Sequence, residues 1–358
     1  MYPKQVLFCK IKFSMKNFFL RSSGPADENN QKQRNFLENG GTLLKELVSS
    51  CKGRCRCNPI RSFSAEEVEE ATSYYKTCCH DDPICNWYKG TSEDRPVLIK
   101  KYKSNYEIEA YRDIVISSQM SSHKNVLKLL GCCIEFPYPA LIYECAENGP
   151  LNRTGGIASN GLSLSWKMRL KVAKDIASAI TYLHTSFRRP IIHRDIKPLN
   201  IFMDKEYVPK LCNFSLSIMI PEGETRVEDI VHGTFGFLDP DYVQTSFVTE
   251  HTDVYSFGIL LLVFLTGQSA LDYNRREQDQ HICNYITELI EKDGRNEIVD
   301  PKILEGDIGE EQQLQLQAFL DLALKCIQVK SEDRPLMIDV ARELVRIEKS
   351  IHCSSRLA

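Results

Sequence analysis

The sequence predicts an α+β chain with two lobes, in which a small antiparallel β-sheet lobe precedes a larger, mainly helical lobe. Three observations support this fold class. Strand-like apolar segments such as 97–100 and 140–144 fall in the first part of the chain. Residues Trp166 to His184 repeat apolar side chains at helical spacing, which predicts a helix with one buried face. That helix leads directly into Ile191 to Asn200, which reads I-I-H-R-D-I-K-P-L-N.

The stretch Ile191 to Asn200 resembles the catalytic loop of protein kinases, H-R-D-x-x-x-x-N, at every specified position. The resemblance implies a two-lobed protein-kinase-like fold. Asp195 takes the position of the base that accepts a proton from the attacking hydroxyl. Lys197 takes the position from which an ammonium neutralises the transferring phosphoryl group in Ser/Thr kinases. Asn200 takes the position of an amide ligand for the nucleotide-bound metal ion.

Residues that hold ATP in a kinase are present only in part. Val97 to Lys100 matches the third strand with its nucleotide lysine, Lys100. Asp113 is the best match for the glutamate that pairs with this lysine, although it is one methylene shorter. The hinge that binds adenine through its backbone would be formed by Glu144, Cys145 and Ala146.

The chain departs from the kinase pattern where the phosphates and the metal would lie. Residues 78–90 lack all three glycines of G-x-G-x-x-G, whose backbone N–H groups approach the phosphates, and Gly90 fits the turn after the second strand. Asn213 replaces the magnesium-binding Asp of D-F-G, and Ser215 replaces its Gly. Ser117 or Ser118 replaces a large apolar residue that links the lobes. We therefore expect weak or vestigial ATP binding and a doubtful role for Mg²⁺.

The remaining motif residues are architectural. Asp253 begins the central helix and would brace the backbone of the catalytic loop. Arg334 would pair with Asp241, which replaces the usual Glu at the end of the activation segment. Three further structural positions belong to the same set, namely His193, Arg194 and Phe214. Their presence indicates that the large lobe folds normally and says little about activity.

Charge and patterning divide the chain into four segments. Residues 1–62 carry twelve Lys/Arg and four Asp/Glu, a net +8, whereas the whole chain carries −3, so the remainder is acidic. We expect a basic N-terminal extension with a short helix at 1–62, a small lobe at 63–145, a large lobe at 146–350 and a tail at 351–358. The basic arm would suit an anionic membrane surface or an acidic partner, or would be a solvated leader.

Residues 28–50 predict an amphipathic helix in which Leu44, Leu47 and Val48 share a face and Gly40-Gly41 forms an interruption. The cluster Cys51 to Cys57 offers three thiols and no nearby His, too few ligands for zinc. An exposed loop with free thiols and an acylated arm both stay open for this cluster, and Met1 and Met15 are alternative starts.

The fourteen cysteines are expected to be free thiols, because no secretory signal precedes them and the fold implies a reducing cytosol. No apolar run approaches about 18 residues, which argues against a membrane span. We expect a cytoplasmic protein, open to peripheral attachment at the plasma membrane, that has no nucleic-acid partner.

Several motifs resemble plant receptor-like cytoplasmic kinases of the wall-associated-kinase type and, more narrowly, the ZRK family of pseudokinases. The motifs that carry the narrower resemblance are Phe36 to Leu47, Asn58 to Phe63, Ser121 to Asn125 and Phe247 to Glu250. The resemblance implies an adaptor in plant immunity that associates with a coiled-coil NLR receptor and reports pathogen-modified receptor-like cytoplasmic kinases. The alternative is a weakly active Ser/Thr protein kinase that transfers the γ-phosphate of ATP to protein hydroxyls, since Lys100, Asp195, Lys197 and Asn200 are in place.

Overall fold

The computed structural model describes residues 26–50, 60–292, 297–305 and 308–349. The chain divides into two compact units, of which the first ends at Ala146 and the second begins at Glu147. The predictions for the first 25 residues, for Cys51 to Cys57 and for the tail 351–358 lie outside the described residues.

The first unit is built on one six-stranded sheet. Its helices are α1 (Ala26–Ser50), α2 (Ala65–Ala71) and α3 (Glu107–Met120). Its strands are β1 (Arg61–Ser62), β2 (Cys78–Asp81), β3 (Cys85–Ser92), β4 (Arg95–Tyr102), β5 (Leu129–Cys133) and β6 (Ala140–Glu144). The strand order is β1-β5-β6-β4-β3-β2, and every pair is antiparallel except β1 with β5. The small antiparallel-rich lobe predicted from the sequence is therefore confirmed.

The N-terminal segment belongs to this lobe and is not a separate extension. Strand β1 pairs with β5, with Arg61 opposite Gly131, so a boundary after residue 62 falls inside the sheet. Helix α1 packs on α3. Asn39 on α1 donates from Nδ2 to the carbonyls of Ile134 (2.9 Å) and Phe136 (2.8 Å). These bonds give buried carbonyls the donors that they require.

Two predictions for helix α1 are wrong. The helix runs through Gly40 and Gly41 without interruption. Its buried positions recur every four residues, at Asn35, Asn39, Leu43 and Leu47, whereas Leu44 and Val48 are 58% and 64% exposed. The two buried asparagines conceal this face in a hydrophobicity pattern, because polar side chains there bond to the lobe's backbone.

Gly90 is not at a turn, contrary to the prediction. It lies within β3, opposite Val97, and the turn to β4 is made by Glu93 and Asp94 with positive φ angles. A Cβ at position 90 would come within 2.6 Å of the carbonyl oxygen of Ala71 at the end of α2. A glycine is needed here because the two backbones approach closely.

The second unit is mainly helical, as predicted. Its α-helices are α4 (Trp166–Thr185), α5 (Pro240–Thr245), α6 (Glu250–Thr266), α7 (Ile282–Glu291), α8 (Glu310–Cys326) and α9 (Met337–Lys349). Its short strands are β7 (Gly149–Pro150), β8 (Ile191–Ile192), β9 (Ile201–Met203), β10 (Pro209–Leu211), β11 (Ile218–Met219), β12 (Val227–Glu228) and β13 (Phe247–Val248). They form the sheets β10-β9-β7, β11-β8 and β12-β13.

Helix α6 is the centre of this unit. It is apolar around its whole circumference, and its residues from Thr252 to Thr266 are all buried. At Gly258 a Cβ would lie 2.7 Å from the Cβ of Cys326, so the glycine lets α8 pack closely against α6. A capping box formed by Thr249 and Thr252 begins the helix and directs its first turn toward the catalytic loop.

Candidate functional site

In the small lobe, Lys100 is the centre of a buried polar cluster. Its Nζ lies 2.7 Å from Oδ2 of Asp113 on α3, and its side chain is 0% exposed. It also donates to the hydroxyl of Tyr102 at 2.8 Å, and that hydroxyl donates to the same Asp113 oxygen at 2.8 Å. The predicted partner of the lysine is thus confirmed, because the two residues meet despite the shorter carboxylate.

The cluster continues into the positions where a kinase carries apolar residues. Ser117, one turn after Asp113, donates to its Oδ1 at 2.9 Å and lies 3.3 Å from the hydroxyl of Tyr143. Burial alone would raise the pKa of Asp113, but Lys100 and the hydroxyl donors outweigh it and lower that pKa below the ordinary 3.8. Lys100 is therefore already paired with a carboxylate within its own lobe.

The hairpin that covers phosphates in a kinase is formed here by β2 and β3. These strands pair with a register shift between Cys78 and His80. Asp81 on the hairpin forms an exposed ion pair with Lys103 at 2.8 Å. The predicted hinge residues Glu144, Cys145 and Ala146 end the lobe, and the N–H of Glu144 donates to the carbonyl of Lys128 at 3.0 Å.

In the large lobe, the structure brings the predicted catalytic residues together. Asp195 is buried, and its Oδ2 lies 2.9 Å from Nζ of Lys197 and 2.8 Å from Nδ2 of Asn200. Its Oδ1 accepts a 2.6 Å hydrogen bond from the hydroxyl of Thr234, which in turn accepts one from Lys197 at 2.8 Å. Burial opposes ionisation, but Lys197 and Thr234 outweigh it and lower the pKa of Asp195. The carboxylate is thus ionised and already engaged.

The residues at the metal positions bond to each other. Nδ2 of Asn213 donates to Oδ1 of Asn200 at 3.1 Å, and Oδ1 of Asn213 accepts from the hydroxyl of Ser215 at 2.9 Å. Asn213 has φ +69°, a left-handed conformation that Asn tolerates better than most residues. Magnesium prefers carboxylate oxygens in octahedral geometry. Asn200 and Asn213 are neutral amides, and Asn213 directs an N–H group at the amide oxygen of Asn200, the expected metal ligand. The donor set does not fit Mg²⁺.

Helix α6 holds the catalytic loop from below, as predicted. Asp253 accepts hydrogen bonds from the backbone N–H groups of His193 and Arg194, each at 2.8 Å. It also lies 2.9 Å from Nε2 of the buried His184. The ring of His193 packs edge-on against Phe214 with centroids 5.2 Å apart, so both architectural residues are in the core of the loop.

Arg194 fixes the activation segment, defined as residues 213–241. Its guanidinium lies 2.7 Å from Oδ2 of Asp229 and donates to the carbonyl of Ile230 at 2.7 Å and to the hydroxyl of Tyr242. Strand β12 of the segment pairs with β13, and the N–H of Asp229 donates to the carbonyl of Ser246. The middle of the segment is therefore attached to the lobe.

The predicted pair of Arg334 with Asp241 is wrong. Nη2 of Arg334 binds Oδ1 of Asp239 at 2.8 Å, and both side chains are buried. Asp239 is the N-cap of α5 and also accepts from the N–H of Asp241. Asp241 itself is only half-buried in the first turn of that helix. Asp239 therefore fills the role expected of Asp241, which is to be the carboxylate partner of Arg334.

Within 26–50, 60–292, 297–305 and 308–349, no group of three or more His, Cys, Asp or Glu side chains is placed to hold a metal ion. The nine cysteines of these ranges are free thiols. In the same ranges every helix is too short or too polar to traverse a bilayer.

The fold and the two clusters define a protein of the protein kinase class, and the family profile "protein kinase domain" matches residues 90–345. Serine/threonine-protein kinase ZRK1 of Arabidopsis thaliana is 46% identical over 354 residues, covering 95% of this chain and 100% of its own. Non-functional pseudokinase ZED1 of the same plant is 48% identical over 339 residues, covering 90% and 99%. Non-functional pseudokinase ZRK2 is 43% identical over 351 residues, covering 95% and 97%. The chain belongs to the ZRK family.

Sequence reasoning missed several residues of these clusters. Tyr102 carries an available signal, because side chains two residues apart on a strand point to the same face as Lys100. Thr234 lies next to a motif residue, but only folding shows that its hydroxyl reaches Asp195. The sequence identifies Ser215 as the residue in place of the motif glycine, but not as a hydrogen-bond partner of Asn213.

Proposed function

We propose that this chain is a pseudokinase that acts as an adaptor in plant immune signalling, bridging an NLR receptor and modified receptor-like cytoplasmic kinases. The observation that supports a loss of catalysis is a chain of hydrogen bonds at the metal positions, here called the ladder. It joins the amides of Asn200 and Asn213 and the hydroxyl of Ser215. Two relatives named as non-functional pseudokinases support it. The adaptor role itself rests on the family resemblance. We place this role in the cytoplasm, with peripheral attachment at the plasma membrane.

The electrostatic consequence of the ladder is large. Replacing a metal-binding carboxylate by an amide removes a unit charge, worth about 4 kcal/mol per metal charge at ~4 Å and an effective dielectric of ~20. Desolvation returns part of this. A net loss of about 3 kcal/mol slows phosphoryl transfer by over ~100-fold, at about 1.36 kcal/mol per decade. The missing phosphate glycines reduce the rate further.

The activation segment is the surface that we propose for recognition of a partner kinase. It is fixed by the contact of Arg194 with Asp229 and by the pairing of β12 with β13. It nevertheless presents Ile230 and Phe235 to solvent, 73% and 81% exposed, beside the exposed stretch 221–226. An anchored loop with exposed apolar and charged side chains and no catalytic duty is suited to partner contacts.

A co-precipitation series tests this surface. Alanine at Glu222, Glu224 and Glu228 removes three negative charges from the segment, whereas Arg226 is kept because it packs over Phe247. The matched control removes three exposed acids elsewhere in the large lobe, at Glu310, Glu332 and Asp333. We expect the segment variant to lose partner-kinase binding at unchanged thermal stability. Equal binding of the partner kinase by the segment variant and the control variant would refute the recognition proposal.

Affinity purification from plant tissue, with the co-purifying proteins identified by mass spectrometry, tests the adaptor role. Recovery of an NLR supports the adaptor role, provided that this chain is recovered in turn when that receptor is tagged and purified. Phosphorylated client proteins without any NLR would refute it.

The second candidate is a weakly active Ser/Thr kinase, favoured by the intact Asp195, Lys197 and Asn200 geometry. Purified protein is expected to show no magnesium-dependent autophosphorylation or transfer to a general substrate. Robust phosphorylation that Asp195→Ala abolishes would restore the enzyme hypothesis.

A further inference from the structure

The ammonium group of Lys100 is enclosed by three residues, which together are called the Lys100 cluster: Trp87, Tyr102 and Asp113. Asp113 and the Tyr102 hydroxyl lie 2.7 and 2.8 Å from its nitrogen. Trp87 lies directly across from Lys100 in the β3–β4 ladder, and its ring centroid is 5.5 Å from the nitrogen. The Tyr102 ring centroid is 4.6 Å away. A carboxylate, a phenol and two aromatic faces therefore surround one charge.

The enclosure is supported from behind. The rings of Trp87 and Tyr143 lie 5.6 Å apart, and Trp87 is 3% exposed. Tyr143 in turn lies within 3.3 Å of the Ser117 hydroxyl, which donates to Asp113. Aromatic contacts and a cation–π contact of this kind favour a fixed arrangement over a mobile one.

The Lys100 side chain is 0% exposed, so a phosphate could reach its ammonium only if Trp87 or Tyr102 moved away. The ion pair with Asp113 is not itself the obstacle, because in an active kinase this lysine keeps its carboxylate partner while it holds the phosphates. The hairpin in front of it also lacks the glycines whose N–H groups approach the phosphates in a kinase. The expectation that Lys100 binds ATP therefore conflicts with the residues that surround its ammonium group.

We propose that Trp87 and Tyr102 close the small-lobe nucleotide position around Lys100, so that the native chain takes no nucleoside triphosphate there. Lys100 is then a structural cation that fixes α3 to the sheet. The double variant Trp87→Val/Tyr102→Phe opens the position, because it removes the indole of Trp87 and the hydroxyl of Tyr102 from the ammonium, while Asp113 keeps its contacts with Lys100 and Ser117. This inference is independent of which partners the adaptor binds.

An acyl-phosphate derivative of ATP tests the closure in the full chain. If the ammonium is reachable, deprotonated Nζ attacks the acyl carbon, the C–O bond to phosphate breaks, ATP leaves and an amide forms with release of one proton. Mass spectrometry then quantifies acylated Lys100. The control is Tyr88→Phe, which changes a neighbouring β3 residue on the opposite face of the sheet.

We expect at least ten-fold more acylation of Lys100 in the double variant than in the wild type or the Tyr88→Phe control, suppressed by excess ATP. Wild-type acylation as fast as that of the variant and blocked by ATP would overturn the closure. If circular dichroism shows that the double variant is unfolded, the wild type alone decides. ATP-protected acylation of its Lys100 refutes the closure, and its absence, with unprotected acylation after urea unfolding, supports it. Neither result alters the co-precipitation test of the adaptor.

Discussion

Replacing Lys100 by methionine tests how much stability the buried ion pair supplies. Methionine keeps an unbranched side chain of similar length. It removes the positive charge that pairs with the carboxylate of Asp113, which is 0% exposed. Breaking a buried pair by removing one partner costs about 3–5 kcal/mol. For a domain of 150–250 residues, a change of this size lowers the melting temperature by about 6–20 °C. Lys100→Met is thus expected to destabilise the small lobe strongly.

The two tryptophans allow the assay to be specific for a lobe. Trp87 is in the small lobe and Trp166 is in the large lobe, so Trp166→Phe leaves Trp87 as the sole tryptophan reporter. In the Trp166→Phe background, urea unfolding is followed by Trp87 fluorescence. The proteins compared are Lys100→Met and the triple variant Lys100→Met/Asp113→Leu/Tyr102→Phe. The triple variant removes the charged pair and the Tyr102 hydroxyl, and leaves Ser117 within reach of the Tyr143 hydroxyl. It is expected to recover most of the loss, since apolar replacement of a buried pair is often neutral.

A decrease of less than about 1 kcal/mol in the free energy of unfolding of Lys100→Met would refute the reasoning, because an unpaired buried carboxylate destabilises a fold by more than that. Failure of the triple variant to recover any stability would refute it equally, since the penalty would then not arise from the stranded charge. Asp195→Asn, in the other lobe, serves as the control and is expected to leave the Trp87 transition unchanged.

Acid titration gives a second measurement on the same pair. Burial disfavours the ionised form of Asp113, but Lys100, Tyr102 and Ser117 together lower its pKa below 3.8. The unfolded state therefore binds more protons just below pH 3.8, so the stability supplied by this carboxylate is complete above that pH and falls as the pH drops further. The triple variant is expected to show a shallower loss below pH 3.8. Parallel acid curves for the two proteins would contradict this origin.

Two further matched pairs test the corrected contacts. Asp239→Asn is expected to cost about 3–5 kcal/mol in urea unfolding, because it leaves the buried Arg334 without its carboxylate, whereas Asp241→Asn is expected to cost less than about 0.5 kcal/mol. The reverse order would reinstate the pairing expected from the sequence. Leu43→Ala is expected to cost about 2–5 kcal/mol, and Leu44→Ala, at an exposed position, less than about 0.5 kcal/mol. Equal losses in circular dichroism melts would show that α1 does not pack by this face.

Motif spacing located residues whose roles are local or tied to the catalytic loop. The pairing of Lys100 with Asp113 and the bracing of the loop by Asp253 are confirmed. These pairs could be predicted because their residues match kinase motif positions one by one, and the resemblance implies which of those positions meet. The proposals for ATP, partners and location depend on chemistry outside the chain and stay predictions.

The errors have a common physical cause, which is packing that overrides local preference. The glycines at 40 and 41 cost about 1 kcal/mol each relative to alanine in a helix, yet α1 continues because it is held on the lobe. Asp241 matches a family position, but Asp239, the helix N-cap two residues earlier, provides a buried carboxylate for Arg334. Neither contact could be derived from spacing, since each joins residues far apart in the chain.

The attachment of the activation segment to β13 and Arg194 has a consequence for association kinetics. Fixing the backbone of a flexible residue costs about 1–2 kcal/mol in conformational entropy, and a disordered segment pays this when it binds. Here Val227 to Ile230 are already ordered in the free chain by strand pairing and by the Asp229 contact. A partner that binds the proposed recognition surface would therefore meet a preformed surface, and differences in affinity among variants of this surface are expected chiefly in the dissociation rate.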